Sequence, residues 1–243
     1  MYALNTVAGP AARSRPTAVP MLPQDTTLEG LFESQTTESF AAGATVFWEG
    51  DPADDIFQLT QGILRLCRIL PDGQRAIIGF IFAGEILGLS FKTSYLLTAE
   101  AITAVSVRRL SRTRFHALVS ESDMLRPQLI ARLCDELCTA QDQMLVFLHR
   151  TADARVASFL LAVARKTTGA ASKGTEVELA MSRTDIADYL GLTIETVCRS
   201  IGKLKSEGLI VLNGPHKVVL QKARALRELA GEAEADEAFA HAA

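Results

Sequence analysis

The 243-residue sequence has little of what several classes of protein require. It holds only four cysteines, at positions 67, 134, 138 and 198, and their spacing is not that of a disulfide-stapled secreted scaffold. The longest apolar run, residues 76–84, ends at Glu85 and is far shorter than the roughly 20 residues that span a bilayer. No basic segment followed by an apolar one opens the chain, so no secretory signal is expected. These absences favour a cytoplasmic protein without a membrane span.

The sequence also lacks the patterns of common enzyme and cofactor sites. It has no P-loop, no glycine-rich dinucleotide motif after a strand and no paired nucleophile and base. An iron–sulfur cluster needs four thiolates at local spacing, whereas these cysteines are scattered and none precedes Cys67. His116 and His149 remain as candidate haem or metal ligands, although a lone histidine usually has a surface or capping role. We therefore predict no catalytic residues, no metal and no cofactor.

Hydrophobic residues make up 48% of the chain and charged residues 22%, as in ordinary globular proteins, but the charge is unevenly distributed. Residues 1–150 carry 13 basic and 16 acidic side chains, a net charge of −3. Residues 151–227 carry 12 basic and 7 acidic ones, a net charge of +5, and residues 228–243 carry five acids and no base. A basic segment between two acidic ones favours a local anionic partner, such as nucleic acid.

The first half of the chain has the pattern of a small all-β domain. Residues 1–25 contain four prolines and no apolar period, so we predict a disordered arm. From Phe40 to Ser111, within a predicted domain of residues 26–122, short apolar runs alternate with turn signals such as Gly50–Asp51–Pro52 at spacings of about 8–12 residues. Such spacing is typical of a β barrel, sandwich or roll. At the other end, residues 228–243 are predicted to form an acidic tail.

A heptad pattern follows the β segment. Residues 123–150 place apolar side chains at alternating separations of three and four, and Pro127 suits the first turn of a helix. The predicted seam consists of Ile130, Leu133, Leu137, Ala140, Met144 and Phe147. We expect this helix to form a homodimer; the alternative is that its stripe docks on its own domain.

Residues 151–227 have the pattern of a winged helix-turn-helix. Ser182 is a candidate cap for a first helix, and Asp185 three residues later nearly completes a capping box. Gly191 supplies the turn, Thr193 caps the second helix, and a hairpin signal at 213–216 follows. The α and β segments together predict an α+β fold, in which the second helix reads DNA.

The outward residues of the second helix suit base recognition. Arg199 can donate two hydrogen bonds to guanine, and Glu195 one turn earlier can accept from cytosine or hold the guanidinium. The alternative is a solvated surface pair. The predicted base contacts are Glu195, Thr196, Cys198 and Arg199, and the predicted phosphate contacts are Ser182, Arg183, Lys203, Lys205, His216 and Lys217.

The stretch DIADYLGLTIETVCRSIGKLKSEGLI resembles the DNA-binding signature of the Crp/Fnr transcription regulators. Residues 43–51, then Phe57, Leu59, Gly62 and Arg65, then 84–86, are similar to the cyclic-nucleotide-binding-type β-roll of that family. The resemblance covers roughly residues 30–225 and is strongest to the FixK branch. It implies a homodimeric regulator, mainly an activator, that binds a TTGAT-type palindrome in promoter DNA, contacts RNA polymerase and controls genes of micro-oxic or anaerobic metabolism.

The resemblance also bears on the signal that is sensed. Family members that bind cyclic AMP place an arginine after the Gly-Glu-Leu motif, whereas residues 94–99 here contain none. A buried phosphate without a cation is costly, so no cyclic nucleotide is expected. Glu85 matches the residue that contacts ribose in the family, and we expect it to make a structural hydrogen bond instead. The alternative function is a sensor whose β-roll binds haem or another small molecule.

Cys198 stands where the FixK branch usually has serine. The start of a helix and the nearby Arg199 favour the thiolate form. Oxidation would place bulk or negative charge against DNA, so we hypothesise that Cys198 is a redox switch. The alternative is that cysteine merely replaces serine as a small contact residue. Regulation by a protease acting on the predicted disordered ends is a further expectation.

Overall fold

The computed structural model describes residues 26–89, 92–149 and 151–232, with the side chains of 142 and 145–149 left out. The predicted arm 1–25 and residues 233–243 of the predicted tail lie outside this range. The elements that form the first domain are a 3-10 helix (Gly30–Phe32), β1 (Thr37–Phe40), β2 (Thr45–Phe47), β3 (Asp55–Gln61), β4 (Ile63–Ile69), β5 (Arg75–Phe82), β6 (Ile86–Leu87), β7 (Thr98–Ala101), β8 (Val105–Ser111) and α1 (Arg112–Glu121). They are followed by α2 (Leu125–His149), α3 (Ala152–Thr168), β9 (Glu176–Glu178), α4 (Arg183–Leu190), α5 (Ile194–Ser206), β10 (Ile210–Leu212), β11 (Lys217–Leu220) and α6 (Ala223–Ala230).

Strands β1 to β8 form a roll of two four-stranded antiparallel sheets. One sheet has the order β1-β8-β3-β6 and the other the order β2-β7-β4-β5. Because side chains alternate along a strand, Phe57 and Leu59 of β3 fill the interior of the roll, while Ile56 joins a second cluster under the helices. The β-roll expected from the sequence is thereby confirmed.

The second cluster joins one sheet of the roll to the helices around it. Phe32, Phe115 and Leu125 are fully buried there beside Ile56. Helix α1, which the sequence analysis did not predict, is capped by Ser111, whose hydroxyl accepts from the Arg114 backbone N–H at 3.4 Å. This packing fixes the start of α2 on the roll.

Most of α2 presents an unpaired apolar stripe. Ile130, Leu137 and Met144, each seven residues after the last, are 62%, 60% and 62% exposed. Ala140 is also exposed, whereas Leu133 is half-buried against the core of its own roll, since the first half of α2 lies along that core. The side chain of Phe147 lies outside the described residues. Ile130, Leu137 and Met144, which share one heptad position, are therefore left uncovered, whereas Leu133 at the other heptad position packs against its own domain.

Helices α3, α4 and α5 and the three-stranded sheet β10-β11-β9 form the second domain. Its core includes Leu160 of α3, Ile186 of α4, and Val197 and Leu204 of α5, each with no exposed surface. Two antiparallel pairs, β10 with β11 and β11 with β9, build the wing. The α+β fold class predicted from the sequence is confirmed.

The start of the predicted acidic tail differs in the structure. Helix α6 continues from Ala223 through Ala230, past residue 227, because Leu226 and Ala230 are buried against the domain core. Gly231 ends the helix in the left-handed conformation. The Glu232 carboxylate then pairs with Arg165 of α3 at 3.0 Å. Residues 228–232 are thus part of the folded domain.

Candidate nucleic-acid interface

The first helix of the helix-turn-helix, α4, begins with a reciprocal cap. The Ser182 hydroxyl accepts from the Asp185 backbone N–H at 3.0 Å, and the Asp185 carboxylate accepts from the Ser182 backbone N–H at 3.1 Å. The same carboxylate also accepts from the Ser182 hydroxyl at 2.7 Å. The capping box that the sequence suggested is therefore complete, and it fixes the orientation of Ser182.

The turn between α4 and α5 depends on two residues that the sequence singled out. Gly191 has φ 61° and ψ 42°, a left-handed conformation that most side chains disfavour. Two residues later, the Thr193 hydroxyl accepts from the Thr196 backbone N–H at 3.2 Å. Because both ends of the turn are fixed locally, α5 begins at Ile194 as predicted.

Helix α5 has one buried face and one exposed face. Val197, Ile201 and Leu204 are buried in the domain core. Of the four predicted base contacts, Glu195, Cys198 and Arg199 are exposed and Thr196 is half-buried. The geometry therefore brings the four onto the accessible side of one helix, as a DNA-reading helix requires.

The start of α5 lowers the pKa of the Glu195 carboxyl more than Arg199 does. Hydrogen bonds from its own backbone N–H and from the Thr193 side chain lower the pKa of the Glu195 carboxyl, and the charge of Arg199 adds a smaller effect. Within the described part of the chain, Glu195 and Arg199 form no ion pair. The Arg199 guanidinium is thus left to meet another acceptor.

The predicted phosphate contacts occupy the surface around α5 and the wing. Two of the lysines carry partners already: Lys203 lies 2.6 Å from Asp153 of α3, and Lys217 lies 2.9 Å from Glu176 of β9. Lys205 is exposed.

The remaining candidates meet main-chain atoms. Arg183 donates to the Pro215 carbonyl at 3.4 Å, and His216 Nδ1 lies 3.2 Å from the Leu179 carbonyl. Both contacts hold the wing turn close to the start of α4. The structure therefore places all six candidates in the second domain, with two of the cations neutralised in the free protein.

A cluster that sequence reasoning missed joins this domain to the β-roll. The buried Asp185 carboxylate accepts from Arg65 of β4 and Arg75 of β5, each at 2.9 Å. Arg75 also donates twice to Asp188, at 3.1 and 2.9 Å. We call these four residues the interdomain clamp. No local sequence pattern predicts the interdomain clamp, because Arg75 and Asp188 lie 113 residues apart.

Aromatic packing continues the same contact between domains. The ring centroid of Phe80 in β5 lies 6.1 Å from that of Phe159 in α3 and 5.1 Å from that of Tyr189 in α4. Burial raises the pKa of the Tyr189 hydroxyl. Lys166 of α3 adds an ion pair to Glu85 of the roll at 2.8 Å. The recognition helix therefore belongs to a domain that is packed onto its own β-roll.

Comparison with known proteins assigns both domains. A family model described as a Crp-like helix-turn-helix domain matches residues 154–229, and one described as a cyclic nucleotide-binding domain matches residues 37–122. The nitrogen fixation regulation protein FixK of Bradyrhizobium diazoefficiens is 40% identical over 177 residues, which cover 71% of this chain and 73% of that protein. The chain belongs to the Crp/Fnr family of transcription regulators.

Other Crp/Fnr proteins are similarly close. The transcriptional activatory protein AadR of Rhodopseudomonas palustris is 41% identical over 171 residues, which cover 69% of this chain and 70% of that protein. The solved structure of FixK2 from Bradyrhizobium japonicum matches with a TM-score of 0.75 and 34% identity, over 80% of this chain and 96% of that one. Crp/Fnr regulators bind promoter DNA, typically as dimers. These relatives are regulators rather than enzymes, which confirms the expectation that the chain is not an enzyme.

Aromatic side chains stack inside the β-roll of this Crp/Fnr chain. Phe47 stacks on Tyr95 at 3.9 Å and on Phe57 at 5.6 Å between ring centroids. The Tyr95 hydroxyl donates to the Asp55 carbonyl at 2.8 Å. As expected from the sequence, Glu85 makes a structural hydrogen bond, accepting from the Phe82 backbone N–H at 2.7 Å.

A cavity of about 630 Å³ does exist beside the roll. It lies between β5, α2 and α3, and its walls include Phe80, Leu133, Phe159 and Tyr189. Over the ranges that the structure describes, no group of three His, Cys, Asp or Glu side chains could hold a metal ion. Nor is any helix within those ranges both long enough and apolar enough to cross a membrane.

Proposed function

We propose that the chain is a homodimeric FixK-type transcription activator that binds a TTGAT-type palindrome in promoter DNA without a bound effector. The observation that carries the proposal is the exposed face of α5, with Glu195, Cys198 and Arg199 accessible on a helix that is capped and buried on its other side. The domain also carries the excess of positive charge that DNA binding requires.

Each residue of this face has a role in reading the half-site. Arg199 donates two hydrogen bonds to guanine O6 and N7, a contact worth about 1–3 kcal/mol of discrimination. Glu195, in the first turn of α5, accepts from a cytosine amino group. Thr196 and Cys198 are small enough to meet thymine methyl groups. Ser182, Arg183, Lys205, His216 and Lys217 surround this face and supply phosphate contacts, whereas Lys203 is paired with Asp153 at 2.6 Å.

The dimer forms through α2. Ile130, Leu137 and Met144 present a heptad stripe that a second copy of α2 would cover, with Ala140 beside them. A palindromic site requires two reading helices related by twofold symmetry. The same symmetry is what a parallel pairing of two α2 helices provides.

The regulated genes and other partners follow from the relatives. Three of the similar proteins are named nitrogen fixation regulation protein FixK, which supports control of nitrogen fixation or other micro-oxic genes. Activation implies contact with RNA polymerase, and both partners place the protein in the cytoplasm. Degradation by a protease is a further means of limiting its activity.

Cys198 gives this reader a redox switch. Its thiol is exposed on the reading face, whereas Cys67 is buried and desolvation raises the pKa of that thiol to about 11. One molecule of hydrogen peroxide converts the thiol to a sulfenic acid with release of water, and further peroxide gives the sulfinic and sulfonic acids. A negative charge at this position repels DNA phosphates, so oxidation abolishes binding.

Fluorescence anisotropy with purified, reduced protein tests the main proposal. The probes are a duplex that carries the TTGAT palindrome and a duplex of scrambled sequence, each titrated over a salt series with no ligand added. We expect the palindrome to bind at least 1,000-fold more tightly at physiological salt, on the order of the usual specific-to-random ratio. Equal affinity for the two duplexes would show that the chain reads another sequence or needs an effector.

The cavity of about 630 Å³ favours a second candidate function, a sensor gated by a small molecule. Its volume is that of a drug-sized ligand site with apolar walls. Because the cavity touches the roll, α2 and α3, a ligand there would act on the DNA-binding domain. A Soret band from bound haem, or a melting temperature that rises with an added ligand, would support this function over effector-free binding.

A further inference from the structure

A three-residue cluster fastens the reading helix α5 to the first turn of α3. Asp153 of α3 accepts from the Ser200 hydroxyl of α5 through one carboxylate oxygen and from the Lys203 ammonium through the other, both at 2.6 Å. Asp153 lies two residues after Thr151, whose hydroxyl caps α3 by accepting from the Ala154 backbone N–H at 3.3 Å. The cluster therefore joins the entry of the DNA-binding domain to its reading helix.

The cluster is partly shielded and keeps its charges. Ser200 is only 3% exposed, so its hydroxyl depends on the Asp153 acceptor. Hydrogen bonds from Lys203 and Ser200 hold the pKa of the Asp153 carboxyl below its usual value, and the bond to Asp153 raises the pKa of Lys203. At neutral pH the cluster is therefore a closed pair of opposite charges.

The position of Lys203 matters for DNA binding. It lies four residues after Arg199, which places it on the neighbouring surface of α5 one turn further on. A free ammonium there would attract phosphates of any sequence. To reach a phosphate, Lys203 would have to leave Asp153, and the carboxylate would then stand unpaired beside a polyanion.

We propose that Asp153 is a positioning residue that seats α5 through Ser200 and holds Lys203 away from the DNA phosphates, thereby limiting sequence-independent affinity. This inference rests on the proposed function as a DNA reader. In this arrangement the exposed face of α5 makes the sequence-reading contacts, and Asp153 keeps the neighbouring Lys203 ammonium away from the DNA backbone. Asp153 thus keeps the affinity for random DNA low. Most of the competing sites in a genome are of this kind.

The test is Asp153→Asn, which keeps the shape of the side chain and an acceptor for Ser200 but removes the charge that holds Lys203. We expect tighter binding to both the palindromic and the scrambled duplex at 50 mM salt. The slope of log affinity against log salt should steepen by about 0.9 for each protomer. For a dimer, the gain should therefore shrink about tenfold between 50 and 200 mM salt. Because the expected change is a gain, a misfolded variant cannot imitate it.

Two further variants separate the cause. Adding Lys203→Ala to Asp153→Asn should abolish the steeper slope, since the freed ammonium is gone. Glu232→Gln is the matched control, because it removes one acid and frees Arg165 near the other end of α3, about 18 Å from Asp153 along the helix. That distance exceeds the screening length of about 14 Å at 50 mM salt, so the control should not reproduce the gain expected of Asp153→Asn.

The outcomes distinguish this inference from the proposed function. If the wild type prefers the palindrome and Asp153→Asn shows the same affinities and salt slope, the role of Asp153 is wrong and the DNA reader stands. If Glu232→Gln matches the gain of Asp153→Asn, net charge alone explains it and the role of Asp153 is again wrong. A wild type that binds neither duplex overturns both.

Discussion

At the scale of single residues, Arg199 is expected to supply the largest share of sequence discrimination. It is exposed and forms no ion pair with Glu195, so it is free to donate both hydrogen bonds to a guanine. Arg199→Ala should lose about 1–3 kcal/mol of binding free energy per half-site on the palindrome and relax the preference at one base pair. Anisotropy titrations with a set of duplexes, each substituted at one base pair, would measure both effects.

Lys205→Ala is the matched control for that measurement. Lys205 is exposed on the same helix, and its proposed partner is a phosphate, which carries no sequence information. The variant should weaken binding to palindromic and scrambled duplexes alike and lower the salt slope by about 0.9 per protomer. If Arg199→Ala also weakened binding to the palindromic and scrambled duplexes equally, Arg199 would not be a base-reading residue.

The thiol of Cys198 has a separate prediction at this scale. Cys198→Ser keeps a small polar side chain on the reading face, so it should bind the palindrome like the reduced wild type and resist hydrogen peroxide. The wild type should lose binding after treatment and recover from the sulfenic acid stage with a thiol reductant. Anisotropy before and after peroxide measures both.

The other exposed cysteines provide the control for the redox experiment. Cys134 and Cys138 lie on α2, outside the DNA-binding domain, and Cys67 is buried. A Cys134→Ser, Cys138→Ser double variant should therefore remain as sensitive to peroxide as the wild type. Persistent sensitivity of Cys198→Ser would refute the switch.

At the scale of elements, those with local signals were the ones that could be predicted. The bounds of α5, Ile194–Ser206, follow from the Thr193 cap and the apolar spacing of Val197, Ile201 and Leu204, all of which act within a few residues. Helix α6 has a single large buried side chain, Leu226, and owes its stability to packing on α3, which a local pattern does not reveal. Strand β9, only three residues long, forms because β11 pairs with it.

The stripe on α2 carries the prediction at this scale. Leu137→Glu places a charge in the centre of the proposed seam, where it would face its own copy. Two buried leucines contribute about 3–6 kcal/mol together, so the dimer should dissociate on the order of 100-fold or more readily. Light scattering after size exclusion would detect the monomer, and affinity for the palindrome should fall with it.

Ala131→Glu is the control on the same helix. Ala131 is exposed and lies one residue beyond the stripe position Ile130, so a glutamate there should leave the dimer intact. A Leu137→Glu protein that remained dimeric at the concentrations used for DNA binding would show that α2 docks elsewhere.

At the scale of the whole molecule, the interdomain clamp determines where the reading helix stands. It could not be read from the sequence, because Asp185 has a sufficient local role as a helix cap and its arginine partners lie more than 100 residues away. The side chains of Arg75 and Asp188 are about one quarter exposed, so solvent reduces the strength of their pairing. The clamp can therefore hold the DNA-binding domain on the β-roll without an effector, and it is weak enough to break.

A double-mutant cycle on DNA affinity tests this arrangement. Arg75→Ala and Asp188→Ala should each weaken binding to the palindrome by roughly 5- to 10-fold, because the reading helix is less firmly positioned; that loss corresponds to about 1 kcal/mol. The double variant should bind no more weakly than Arg75→Ala alone, since the contact that Asp188→Ala breaks is already lost with Arg75. Independent losses that multiply would mean that the two side chains act separately.

Arg109→Ala controls for the loss of an arginine pair as such. Arg109 pairs with Glu38 at 2.5 Å within the β-roll and touches neither α4 nor α5 through that pair. Its removal should leave DNA affinity unchanged while the clamp variants lose it. Equal losses in all the variants would trace the effect to the stability of the β-roll, whereas loss confined to Arg75 and Asp188 would show that the roll positions the reading helix through its own charges.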